Sequence, residues 1–359
     1  MIDSSLRLTG SALKNAPGFA ALLVANKVQN IADVEDVYPD DSDTERPFKP
    51  YYDKYILPRV QEYERSRLEV LAEFRKRCFL AALGIVAVLV VAYLIFANFS
   101  VHEEIGKMIF GGGFLAISSL IFWAGSPVYK YKGRVKSDIF PLVFDFYGEA
   151  FEYQAVSGFS IGSIKSAGIL PDYDRASTED YVAGTHLGVK IELTEAQLIK
   201  KTGSGKNRRD TTVFRGIFIL LSMNKRFEGR TIIKRDRGTI GNWFSGAPSG
   251  LERVKLEDPV FEDKFEVYGS DQVEARYLLT TSFMDRLVSL ENLVRADSIQ
   301  CSFFDNRLLM MLSSSHDRFE TSSIFKPATF VEDTQTILAE MREVFRIIET
   351  LKLQEQTRL

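Results

Sequence analysis

Two stretches of the chain abandon the mixture of polar and apolar positions that characterises the rest of it. From Cys78 to Phe99 there is not one charged side chain. A hydrocarbon core about 30 Å thick takes roughly 20 apolar residues at 1.5 Å rise each, so this run predicts a transmembrane helix. A second run, Met108 to Val128, is one residue shorter and carries Gly111, Gly112, Gly113, Ser118 and Ser119. Glycine lowers helix propensity and serine adds polarity, although a hydroxyl can bond back to its own helix. A second span is predicted there, with a re-entrant or buried core helix as the alternative. Neither run is expected to be a signal peptide, because both lie far from the N-terminus and the first 30 residues lack the basic, apolar, small-residue order of one.

Helical periodicity surrounds the pair. Between Tyr52 and Arg77, Ile56, Val60, Tyr63, Val70, Leu71 and Phe74 recur at threes and fours among Glu and Arg, with Pro58 marking where the regular helix starts. This juxtamembrane helix, residues 51–77, runs straight into the first span. Its stripe suits packing within the protein or self-association as a short coiled coil. After the second span, Ser137 is expected to cap a helix, with Asp138 in its first turn and Ile139, Leu142, Val143, Phe146, Tyr147 and Phe151 on one face.

From about Gly184 the period shifts to two. Val189, Ile191 and Leu193 alternate with polar residues and Thr211 to Leu221 is rich in β-branched and aromatic side chains, so both predict strands. Arg230 to Lys234 and Phe265 to Tyr268 read as further short strands. Ile299, Cys301 and Phe303 alternate before a turn at Asp305 and Asn306, which predicts a hairpin. Helices are expected over 271–279, 282–292 and near 330–353, the last with the stripe Ile337, Leu338, Met341, Val344, Phe345, Ile348 and Leu351. The predicted architecture is an α+β cytosolic domain, residues 137–353, anchored by a two-helix transmembrane hairpin, 78–99 and 108–128. Residues 1–50 hold a short amphipathic candidate at Phe19 to Ile31 and then an acidic, Pro-bearing linker with too little apolar surface to offset its ordering entropy.

Charge orients the hairpin. Arg75, Lys76 and Arg77 precede the first run, Lys130, Lys132, Arg134 and Lys136 follow the second, and the link 100–107 has one Lys beside Glu103 and Glu104. Positive charge stays cytoplasmic, so both termini are expected there, and these seven basic residues are candidates for contact with anionic headgroups. Across all 359 residues the net charge is -3, which gives no nucleic-acid footprint. Two cysteines, Cys78 and Cys301, support neither a disulfide framework nor a thiolate metal site.

Candidate chemistry is sparse. The loop IKKTGSGKNRRD lacks the first glycine and the hydroxyl residue of a phosphate-binding loop and is followed by a strand, so its basic residues read as a solvated hairpin tip or a headgroup contact. The aromatic pair Trp243 and Phe244 sits in a Gly-rich loop. Ser313 to Asp317 includes a hydroxyl, an imidazole and a carboxylate, but sequence neighbours rarely converge on one substrate atom. The three histidines are isolated, so no metal ligand set, catalytic residue or cofactor is assigned. Glu257, Asp258, Glu262, Asp263, Asp271 and Glu274 form an acidic set without EF-hand spacing.

The stretches DPVFEDKFEVY and SDQVEARYLLT, with VFRGIFIL upstream and SFFDNRLLMMLSSSHDRFE downstream, resemble a bacterial membrane-protein family, domain of unknown function 3137, from about Phe140 to Leu353. The resemblance implies a multi-pass protein of the bacterial inner membrane and a LemA-type membrane protein as a partner, and it brings no reaction. Asp271, Gln272, Glu274 and Arg276, where it is most specific, become the candidates for a partner-binding or structural motif. Two function classes follow. The favoured one is a non-enzymatic membrane-anchored scaffold or adaptor that binds a membrane protein and is able to self-associate through its membrane or juxtamembrane helices. The alternative is an enzyme acting on a lipid or membrane-bound substrate through clustered carboxylates.

Overall fold

The computed structural model describes residues 38–41, 46–98, 102–148, 150–156, 158–203, 208–235, 250–294, 296–314 and 318–353. The candidates at Phe19 to Ile31, Lys206, Trp243, Phe244 and His316 lie outside the described residues. The chain divides into two units. One comprises residues up to Ile139 together with Thr321–Asp333; the other comprises Phe140–Glu320 and the chain from Thr334 onward.

The first unit is built on two long helices. A short helix, α1 (Lys49–Tyr55), leads into α2 (Leu57–Asn98), whose 42 residues extend about 63 Å at 1.5 Å each. That is twice the length a span needs, so the predicted juxtamembrane helix and first span are one continuous rod. Pro58, its second residue, sits where a missing backbone N–H costs no helical bond. The second helix, α3 (Glu103–Asp138), is equally continuous, with Glu103 and Glu104 favourably placed at its positive N-terminal end. Ser137 therefore lies in the last turn of α3 and does not cap a new helix: its hydroxyl donates back to the Arg134 carbonyl at 3.0 Å. The apolar stripe expected to begin a helix at 137 instead starts with α4 (Phe140–Asp145), in the second unit.

Small residues let α2 and α3 approach. A methyl group at Gly84 would stand 3.0 Å from the Leu120 side chain. Lower down, Val60, Tyr63 and Leu71 of α2 and Tyr131 and Val135 of α3 are buried. The upper parts differ: of the most apolar 18-residue window in each helix, only 6% is buried within the protein.

The second unit is α+β. Among the described residues, β1 (Glu152–Gln154), β2 (Arg175–His186), β3 (Val189–Thr202), β4 (Arg209–Ser222), β5 (Thr231–Arg235), β6 (Glu252–Val254), β7 (Phe265–Gly269), β8 (Ser298–Phe304) and β9 (Arg307–Ser313) form one antiparallel sheet in the order β1-β2-β3-β4-β9-β8-β5-β7-β6. The β8–β9 hairpin closes on Asp305 and Asn306 with φ of 49° and 56°, the left-handed pair that a two-residue turn matching strand twist requires. Gly216 in β4 has φ 146°, and a Cβ there would lie 2.0 Å from the Leu312 carbonyl oxygen, so glycine alone lets β4 and β9 come together.

Period-two burial splits the sheet into two faces. Ala196, Leu198, Phe214, Phe218 and Met311 pack on one side with Phe159, Ile161, Ile164 and Ile169, in and beside a short 3-10 helix, Ile161–Ala167. On the other side the C-terminal helix, α8 (Val331–Leu351), brings Phe345 against Tyr147, Phe151 and His186, while Phe144 of α4 stacks on Tyr153. Helices α5 (Pro259–Lys264), α6 (Gln272–Leu278) and α7 (Thr281–Leu293) follow β6 and β7.

Candidate functional site

The predicted motif 271–276 is tied to backbone. Asp271 is the N-cap of α6, accepting from the Val273 and Glu274 amides at 2.7 and 2.9 Å. The Glu274 carboxylate accepts from the Glu228 and Gly229 amides at 2.8 and 2.7 Å, just before β5. Arg276 donates to the Gln272 and Lys255 carbonyls at 3.2 and 3.3 Å, and Gln272 reaches the Arg253 carbonyl of β6 at 3.5 Å. Together they fasten α6 to the chain on either side of it. Asp258 caps α5 in the same way, through Val260 and Phe261. Two apolar side chains stand outward here, Val260 and Val273 at 63% and 78% exposed, among the exposed charged residues Arg253, Lys255, Glu257, Asp263 and Arg276. Replacing Asp271 with Ala is expected to cost about 1 kcal/mol, and Asp271→Asn much less, because an amide oxygen still accepts the N-cap bonds; denaturation midpoints check this.

Of the basic candidates, Arg77 and Arg134 cross the helix pair. Pro127 sits inside α3 and has no N–H to donate to the Trp123 carbonyl four residues back. Arg77 Nη1 of α2 donates to that carbonyl at 3.2 Å and to Ser126 Oγ at 2.9 Å; Ser126 Oγ also bonds the carbonyl at 2.9 Å, and the guanidinium lies 5.0 Å from the Trp123 ring centroid. Arg77 in turn holds the Glu73 carboxyl below the usual range. Arg134 reaches Ser66 Oγ at 3.0 Å. Arg75, Lys76, Lys130, Lys132 and Lys136 sit on the same helices just beyond the apolar stretches.

Two charged groupings escaped the sequence reading. In the first unit, residues Thr321–Asp333 form a loop whose ends meet: Asp333 accepts from Ser322 N at 2.6 Å and Ser322 Oγ at 2.8 Å. The loop is clasped to α1 and α2. Arg67, 1% exposed, grips Glu64 through Nε and Nη2 at 2.7 and 2.5 Å and donates Nη1 to the Ile324 carbonyl at 2.6 Å. Glu64 also accepts the Ala328 amide at 2.8 Å, and Tyr52 donates its hydroxyl to the Thr329 carbonyl at 2.6 Å. Phe325 and Phe330 meet Phe74 and Tyr63 edge-on. Burial raises the pKa of the Asp333 carboxyl and of the Tyr131 hydroxyl on α3.

In the second unit, carboxylates gather around Arg318. Its guanidinium bridges Glu343 at 3.2 and 3.4 Å, its amide donates to Glu195 at 3.1 Å, and the next amide, Phe319, donates to Glu340 at 3.2 Å. Fully buried Asp180, at a β2 bulge with φ 54°, accepts the Tyr153 hydroxyl. Burial, aided by Glu343 and Asp180 and opposed by Arg318, raises Glu340 to about 7. Both groupings were detectable as charges on apolar stripes: Glu195 continues Val189, Ile191 and Leu193, Arg67 lies four residues from both Tyr63 and Leu71, and Asp333 and Glu340 fall on the face of Ile337.

Comparison with known proteins finds a family model that matches part of the chain. Residues 212–353 match the model for Protein of unknown function (DUF3137). The match starts within β4, later than the Phe140 suggested by the residue resemblance, and takes in α5 to α8, the 271–276 motif and the whole 321–333 loop. Helices α1 to α3 lie outside it. No curated protein matches the chain. A solved structure, the mycobacterial trehalose monomycolate transport factor A, TtfA, aligns over 61% of this chain and 94% of its own, at 12% identity and a TM-score of 0.29. A likeness of that degree bears on neither mechanism nor partner here.

Proposed function

We propose that the protein is a membrane-anchored scaffold or adaptor. In this reading α2 and α3 cross the bacterial inner membrane as a hairpin with both termini in the cytoplasm, and the α+β unit offers its surface to a membrane-protein partner. The observation that carries it is the bare apolar surface of the two helices. Side chains such as Phe79, Tyr93, Met108 and Phe110 are each more than 60% exposed, and a hydrocarbon environment is what removes such area from water, at about 25 cal/mol per Å². The arginine and serine that satisfy the carbonyl freed by Pro127 support the same reading, since a backbone group left unpaired within hydrocarbon costs several kcal/mol. The asymmetry of basic residues supports the orientation. The outward valines of α5 and α6, in the two stretches most characteristic of the family resemblance, supply a place for a partner.

Topology is tested with reporters fused at the link and at the C-terminus. The link is expected outside and the C-terminus inside; a link reporter in the cytoplasm defeats the hairpin. Adaptor action is tested with a photo-crosslinking residue at Val273 in native membranes. One recurrent protein adduct, weakened by Val260→Asp, is expected. Labelling of lipid alone, or of proteins in proportion to their abundance, counts against an adaptor.

A further inference from the structure

A buried ion pair on α2, Glu64 and Arg67, is hydrogen-bonded to the backbone of the 321–333 loop at Ile324 and Ala328. The loop's covalent neighbours on both sides, Glu320 and Thr334, belong to the α+β unit, while its bonds go to α1 and α2. Its own closure falls on Asp333, the third residue of α8, so the bond that shuts the loop also fixes the first turn of that helix. Lys326, bonded to both oxygens of Glu332 at 2.7 Å, adds a second closure at the neighbouring residue. Phe330, immediately before α8, holds φ 57°, a conformation an aromatic residue keeps only when its surroundings enforce it. Here those surroundings include its edge-on contact with Tyr63 of α2. The contacts on α1 and α2 run from Tyr52 to Phe74, so the loop is held over several turns of helix and not at one point.

We propose that residues 321–333 are a coupling strap: the Glu64–Arg67 pair holds the strap on α2, and the held strap keeps the first turn of α8 wound, so that loosening either end loosens the other. Arg67 suits the role because its planar fork can clamp a carboxylate with two donors and still present a third to the Ile324 carbonyl. Coupling of this kind is reciprocal, since each end changes the same equilibrium. It needs only a segment with a held and a released arrangement, biased from both ends.

Amide hydrogen exchange of the full-length chain in detergent tests it, with the double variant Glu64→Gln/Arg67→Met. That pair leaves an amide oxygen for the Ala328 N–H and no unpaired charge. The expected result is exchange at least tenfold faster at residues 324–326 and 328–329 and also at 333–337. Faster exchange confined to the loop overturns the coupling; unchanged exchange in the loop overturns the latch. Ser322→Ala, a milder change at the far end, is expected to speed exchange of the Ala328 amide several-fold, although Ser322 bonds neither Glu64 nor Arg67. If only amides beside Ser322 respond, the proposal fails.

Discussion

Replacing Arg67 with Ala is expected to destabilise the first unit by about 3–5 kcal/mol, a loss read as a lowered denaturation midpoint of the detergent-solubilised chain. The size follows from what is left behind. Glu64 is 7% exposed and would be left buried with the Ala328 amide as its remaining hydrogen-bond donor, and the Ile324 carbonyl would lose its own donor. The cost belongs to the orphaned partner and not to the pair, so removing both charges should be far milder. Glu64→Gln/Arg67→Met is expected to recover most of the loss, since methionine fills the volume of the arginine stem and glutamine keeps the Ala328 bond. Equal losses in the single and double variants would show that the cost lies in the donor lost by the Ile324 carbonyl, which both variants remove, and not in an orphaned Glu64.

The sequence made the outline of the fold legible wherever a single period ran uninterrupted. The strands around Val189 and Thr211, the hairpin turn at Asp305 and Asn306, and the stripe of α8 all follow from spacing and turn chemistry. Boundaries failed where two signals overlapped. Ser137 and Asp138 make a respectable helix start, yet α3 runs through them, because Tyr131 and Val135 keep the chain helical against α2 and Asp138 accepts the Tyr63 hydroxyl at 2.6 Å. Candidate sites were less legible for a physical reason. Charged residues on a helix are solvated by default, so Arg67 and Glu340 read as surface until their distant partners are known, the Ile324 carbonyl 257 positions from Arg67 and the Phe319 amide 21 positions from Glu340. The Asp271 cluster stood out in the sequence because it is locally dense, and its density reflects capping: each carboxylate serves backbone amides that a short helix and strand ends leave unpaired.

Stability of the α+β unit should fall as pH rises through the neutral range, and Glu340 is the group to hold responsible. Its carboxyl titrates near 7 in the folded chain against an ordinary value of 4.5. Between those values the folded state holds the proton and the unfolded state releases it, so raising the pH draws the equilibrium toward unfolding. Below about 4.5 both states are protonated and the group contributes no slope; above about 7 the loss is complete. At about 1.4 kcal/mol per unit of displacement, the whole window corresponds to about 3 kcal/mol. Glu340→Gln removes the titration while keeping an oxygen for the Phe319 amide, and Arg318 retains its bridge to Glu343. The variant should therefore match the parent near pH 4.5 and exceed it by an amount that grows to about 3 kcal/mol at pH 8. Denaturation series at four pH values on both chains measure that difference directly, because the other titrating groups are common to both. Parallel curves would mean that Glu340 is ionised in the folded chain, with the Arg318 guanidinium outweighing the cost of its burial.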